Sequence, residues 1–500
     1  MKQVFKKLFC VVLVGLIVIV FTGCDSTARD LAREAKNLST YKIDATINDV
    51  DKSILATEHV EYVNNTDVVL NELWFNLYPA AFREDAKYKP YSVTNQSKAF
   101  DGEVSYGDIK IQRVILSGRE IKYEIGGIDN NILKIGLDVA LYPESRVSVE
   151  ISFLVLLANC NLRLGYFGDN INIGNWYPVV CVYENGGFVE CPYYSNGDPF
   201  YSDMANYDVS VRYNASYQLA TTGSVLNMTQ EGEFNTAQIK AQCVRDFAMV
   251  LSNRFEIVSE MVGDTLVQYY GYQGEDNSRY LTVAVQALTA FNEMFGKYPY
   301  RVLNVAKTPF LHGGMEYPNL VFISDSIKEV DYFETVIVHE IAHQWWYGVV
   351  GNNEINDAWL DEALAEYSTI LFYEKFPEYN KTTAEQISQN VESYILYEDV
   401  VNSIGGHLNT AMNLSLDQYS NEYEYVYMVY VKGVIMYQTL RESIGTEKFL
   451  KGLANYYCSA KYKMAKTDDL IDGFERATGT DLKGFFDGWL NGKVNIIKAK

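Results

Sequence analysis

The stretch His339-Glu340-Ile341-Ala342-His343 constrains this chain more than any other. It lies within 331–348 (DYFETVIVHEIAHQWWYG), a run that predicts one helix. Asp331 can cap its start, Glu334 can answer the cap three residues on, and Gly348 permits a left-handed stop. Residues four apart on a helix share a face, so His339 and His343 can grip one ion. Two imidazoles plus one carboxylate suit zinc, with a fourth position left for water. Glu340 is turned off the ligand face yet remains within reach of that water. A core helix carrying two chance histidines is the weaker reading, because the chain has only five His in 500 residues.

A second helix is expected from Asn356 or Asp357 to just before Pro377. An antiparallel return through the loop VVGNNEIN would bring one of its acids back to the two imidazoles. Glu354, Asp357, Asp361, Glu362 and Glu366 are all candidates. Eighteen residues separate His343 from Glu362, which sits in Trp359-Leu360-Asp361-Glu362. That spacing and context resemble the gluzincin metallopeptidases, specifically the aminopeptidase N and leukotriene hydrolase family. The resemblance makes Glu362 the third ligand of a single zinc. One departure is that Ala363-Leu364-Ala365 follows Glu362 where the family commonly continues Gly-Phe-Ala.

Net charge is −22 and the pI about 4.7, a surface that repels nucleic acid. At the N-terminus Lys2, Lys6 and Lys7 precede an apolar run, 8–21, too short for a comfortable membrane span. Phe21-Thr22-Gly23-Cys24 then resembles a bacterial lipoprotein box. The expectation is a signal peptide over 1–23, a lipid-modified Cys24 and a chain held at the extracytoplasmic face of a membrane. An uncleaved anchor helix is the alternative. Apart from Cys10 and Cys24 there are five cysteines, so at least one is unpaired within the chain. Cys181 and Cys191 either pair across a hairpin or stay as buried thiols.

Residues 24–40 read as a polar tether. From Tyr41 the apolar period becomes two: Tyr41, Ile43, Ala45 and Ile47; Leu73, Phe75 and Leu77; Val147, Val149, Ile151 and Phe153; Tyr207, Val209 and Val211. This predicts an antiparallel β domain over 41–252. A mixed region follows over 253–490, with strands at LVQYYGY, RVLNVAK and NLVFIS and an amphipathic helix over 279–295, then a tail over 491–500. The fold class is α+β, and the resemblance makes the second part a thermolysin-like zinc peptidase domain.

Between two of those strands lies Phe310-Leu311-His312-Gly313-Gly314-Met315-Glu316-Tyr317-Pro318. Gly313 and Gly314 let backbone run close to another chain, and Glu316 brings a fixed negative charge there. A tight turn with a solvated acid would look the same. The stretch resembles the family's G-x-M-E-N exopeptidase motif, whose glutamate binds the free α-amine, with Gly313 and Gly314 along the substrate backbone. Tyr317 stands where the motif has Asn. Further on, Tyr430-Val431-Lys432-Gly433 is similar to the family's catalytic tyrosine before x-Lys-Gly, with Tyr425 and Tyr427 as rivals.

The resemblance therefore implies metal-assisted hydrolysis of peptides with a free N-terminus, with Glu340 as general base and Tyr430 on the oxyanion. An endopeptidase using the same zinc, and a non-catalytic peptide-binding lipoprotein, are the rival readings.

Overall fold

The computed structural model describes residues 26–497. Lys2, Lys6, Lys7, the apolar run 8–21 and Cys24 lie outside the described residues. Among those described, no helix is long and apolar enough to cross a membrane.

The first half is β-rich because its apolar residues alternate. Tyr41, Ile43, Ala45 and Ile47 on Ser39–Asn48 are all buried, while the residues between them are exposed or half-buried. That strand sits inside an eight-stranded sheet, with two four-stranded sheets beside it. One pairing departs from the expected antiparallel domain: Ser39–Asn48 runs parallel to Ala205–Asn214, with Tyr41 opposite Tyr207. Those rings stack at 5.1 Å. The five cysteines among the described residues are free thiols, so Cys181 and Cys191 stay as buried thiols rather than a cross-hairpin pair.

Glu58 breaks the alternation. It lies on Ser53–Val63 between Ile43 and Ile151, wholly buried, and neither carboxylate oxygen has a partner. Burial pushes its carboxyl well above the ordinary value of 4.5. A carboxyl raised in the folded state favours folding at low pH, and that contribution is lost as pH climbs above the unfolded value. Glu58→Leu should therefore stabilise the protein by about 1–3 kcal/mol at neutral pH. The gain should shrink toward pH 4, read from thermal unfolding across pH.

From Phe255 the architecture becomes mixed. A five-stranded sheet takes the order Phe255–Val262, Thr265–Tyr272, Val302–Thr308, Leu320–Ser324 and Gly314–Met315. Its central strands are parallel, and the helix Asn277–Met294 makes the crossover between two of them. The short strand Gly314–Met315 lies antiparallel on the outer edge, against Leu320–Ser324. The rest is helical, and two helices matter most: Val330–Ala342 carries the histidine motif and Trp359–Lys375 carries Glu362.

The motif helix is shorter than the sequence suggests. The helix begins at Val330, so Asp331 lies inside it; Glu329 at the N-cap position makes no side-chain capping bond, and the Glu334 carboxylate accepts from Arg279 on the helix Asn277–Met294. Its regular part ends at Ala342, with His343 as the C-cap. Trp345 and Trp346 then turn into the core, so the chain leaves the helix early. The left-handed residue is Tyr347 (φ 115°) rather than Gly348.

Candidate metal centre and substrate cavity

The end of the motif helix and the start of Trp359–Lys375 bring His339, His343 and Glu362 to one point. The two Nε2 atoms are 3.1 Å apart, and Glu362 Oε2 lies 3.3 Å from His339 Nε2 and 3.2 Å from His343 Nε2. Three donors held ~2.0–2.1 Å from one tetrahedral ion would stand ~3.3 Å from one another. The observed triangle has that size. Both Nδ1 atoms face acceptors, which leaves two Nε2 lone pairs meeting at 3.1 Å, an arrangement that a cation between them satisfies. Burial works against charge on His343, yet the Glu362 and Glu316 carboxylates push its pKa up to about 10. The pair of imidazoles in turn holds the buried Glu362 carboxyl well below the usual range. The donor set fits zinc.

The outer nitrogens are fixed as well. His339 Nδ1–H donates to Glu366 Oε2 at 2.9 Å, and His343 Nδ1–H donates to the Trp346 carbonyl at 3.0 Å. Asp361 Oδ2 is 3.9 Å from the same His343 nitrogen, while its Oδ1 accepts from Asn352. Two rivals for the third-ligand position thus stand behind the imidazoles. Glu354 is buried beside Asp361 and away from the triangle.

Glu340 is buried, and one of its carboxylate oxygens has no partner. Burial lifts it to about 7, against the pull of His339 and His343. Its neighbour is Gly314, where any side chain would overlap the Glu340 carboxylate. Gly314 therefore has a steric reason to be glycine. Gly313 does not: an added methyl there would make only ordinary contacts with Val336 and Tyr332.

Glu316 follows that edge strand and is 3% exposed, with Oε1 unpartnered. It opens into the same cavity of about 560 Å³ as His339, Glu340, His343, Glu362 and Tyr430. Tyr317, the departure from the motif, points the other way. Its hydroxyl donates to Asn175 Oδ1 at 2.6 Å, filling space that Gly174 leaves open. Asn175 passes the contact on to Asp246, which also accepts from Tyr177. The residue at the Asn position thus ties the turn after Glu316 to the β-rich half rather than facing the cavity.

Tyr430 lies on a single π-helical turn, Tyr427–Val431, just before the helix Lys432–Ile444. Its ring stacks on His339, centroids 6.0 Å apart and planes 16° off parallel. Burial, and then the Glu362 carboxylate, hold its phenol well above the ordinary value, so it is a proton-bearing donor. Tyr425 meets Tyr430 edge-on and also lines the cavity. Tyr427 stacks on Tyr397 at 4.2 Å and does not line it.

Several cavity residues carry no sequence signal. Asp198 pairs with Arg163, whose Nε also meets Met315 Sδ at 3.1 Å, so this ion pair backs the Glu316 strand. His312 is pushed down to about 3 by burial and then by the Arg163 charge, and lines the cavity as a neutral imidazole. A turn sequence, Asn196-Gly197-Asp198, was the only local hint of Asp198.

With this geometry in place, the similarities of the chain are informative. Residues 279–489 match the Peptidase family M1 domain. That stretch is similar to M1 peptidase domains. It holds every residue of the triangle together with Glu316, Glu340 and Tyr430. Aminopeptidase M1-B of Oryza sativa subsp. japonica is 28% identical over 242 residues, covering 45% of this chain and 27% of that protein. Aminopeptidase N of Lactococcus lactis subsp. lactis is 25% identical over 311 residues, covering 57% of this chain and 35% of that protein. The chain thus spans about a third or less of these relatives' length. Among solved structures, an M1 zinc metallopeptidase from Deinococcus radiodurans superposes with a TM-score of 0.62 at 15% identity, covering 92% of this chain and 94% of its own. The matched stretch and the β-rich half therefore share the fold of that structure.

Proposed function

We propose that the chain is a zinc-dependent aminopeptidase that removes N-terminal residues from peptides at the outer face of a membrane. The observation that carries the reading is the burial of Glu316, half unpartnered, in the same cavity as the metal triangle. A buried carboxylate with an idle oxygen is costly unless a cation completes it, and a peptide's terminal ammonium is such a cation. Support also comes from the curated aminopeptidases to which the chain is similar. A mutant of the Deinococcus protein has been crystallised with the tripeptide Tyr-Ser-Ala as substrate.

His339, His343 and Glu362 would hold the zinc, which supplies an acidic water and a Lewis acid for the peptide carbonyl. Glu366 and the Trp346 carbonyl keep both imidazoles in the tautomer that presents Nε2. Glu340 takes a proton from the attacking water and later delivers it to the departing amine. Tyr430, stacked on His339, donates its phenol to the oxygen that gains charge at the carbonyl carbon. Glu316 pairs with the ammonium and so fixes where the substrate begins. A panel of aminoacyl reporter substrates, with and without chelator, tests this. Turnover that needs a free amine and falls with chelation is expected. Cleavage of blocked peptides at equal rate would favour the endopeptidase reading.

The location rests on the charged and apolar segments ahead of Cys24. The mature protein should begin at a lipid-modified Cys24 and partition with membranes, and Cys24→Ser should prevent the modification. Mass spectrometry finding an unmodified N-terminus elsewhere would contradict it.

A further inference from the structure

We propose that Gln344, the residue after the second histidine ligand, is the positioning residue that sets free-amine selectivity by holding the Glu316 turn on the motif helix. Gln344 is fully buried. Its Nε2 donates to the carbonyls of Glu316 (3.3 Å) and Tyr317 (3.2 Å). Its Oε1 accepts from the Asn319 N–H at 2.8 Å and from the Tyr298 hydroxyl at 3.4 Å. Asn319 is left-handed (φ 63°), and its side-chain amide donates to the same Tyr298 hydroxyl at 2.9 Å. One carboxamide therefore meets three backbone groups of the turn 316–319.

Gln344 thus holds the turn from the metal side. Tyr317 anchors the turn outward, to Asn175, and the edge strand ahead of it is only two residues long. Gly314 packs on Glu340 and the Arg163–Asp198 pair backs the edge strand, and Gln344, adjacent in sequence to His343, adds the hydrogen bonds that fix the turn's carbonyls relative to the metal triangle. Selectivity for a free N-terminus depends on the distance from Glu316 to that triangle, because the ammonium must reach Glu316 while the first carbonyl reaches the zinc position. A misplacement of ~1 Å at such a site costs about 100-fold.

The inference rests on the aminopeptidase reading, and its test separates the two. Gln344→Leu removes both functions of the carboxamide. Gln344→Glu keeps the shape and the acceptor but loses the Nε2 donor, and serves if the leucine variant does not accumulate. Each is assayed as the full chain, with zinc content measured, on a free-amine peptide and on its N-acetylated form. The expected result is retained zinc, a loss of about 100-fold in kcat/KM on the free peptide and little change on the blocked one, so that selectivity collapses. In a Glu316→Ala background the same substitution should add little, as for residues acting through one contact. Equal losses on both peptides, or full addition to Glu316→Ala, would overturn the role of Gln344 while leaving the aminopeptidase reading intact. A parent enzyme with no preference for the free amine would overturn both.

Discussion

Glu340→Gln should keep its zinc and lose about 10²–10⁴-fold in kcat. Glu340 lies one residue after a ligand on the motif helix, and its carboxylate points toward Gly314 rather than into the donor triangle. The carboxamide has the same shape and fits the same gap, so His339, His343 and Glu362 should stay where they are. What is lost is the carboxylate proposed to take a proton from the attacking water. By contrast, His339→Ala, His343→Ala or Glu362→Ala should each strip the metal itself. Elemental analysis beside kinetics separates the two classes. A Glu340→Gln protein with near-parental turnover would remove the general base from this mechanism.

Glu316→Ala should lower kcat/KM on free-amine peptides by roughly 30- to 4,000-fold, from the ~2–5 kcal/mol that truncating one member of a desolvated charge pair costs. Its carboxylate is buried with one oxygen idle, and the nearby Asp198 is already engaged by Arg163. The ammonium would therefore lose its main partner. An N-acetylated peptide has no ammonium and should already be poor with the parent enzyme, so the mutation should change it little. The two losses should fail to add, as expected for partners in one interaction. A solvated turn acid would give small and equal effects on both peptides, and the burial of Glu316 argues against that.

What could be read from the sequence was local. The four-residue spacing of His339 and His343 puts both rings on one helical face whatever surrounds them, while the choice of Glu362 among the acids that follow rested on the spacing and context of the family it resembles. The alternation around Tyr41 and Tyr207 gave the strands, but not that the two are parallel neighbours, because register between distant strands leaves no trace in either one. Tyr317 is the clearest case. It stands where the motif has Asn, and its turn away from the cavity depends on Gly174 and Asn175, far away in sequence. The expected capping box is absent because the helix starts ahead of Asp331, and Glu334 accepts instead from Arg279 on another helix. Gln344 and the Arg163–Asp198 pair were illegible because their partners are carbonyls and side chains that only the fold brings near.

The central claim is that the triangle of His339, His343 and Glu362 holds the zinc on which peptide hydrolysis depends. The most direct measurement is zinc per chain, with aminoacyl reporter turnover recorded on the same sample before chelation, after it and after zinc is restored. The account predicts one zinc per chain, loss of metal and turnover together, and their return together. Full turnover in protein stripped of zinc would contradict it.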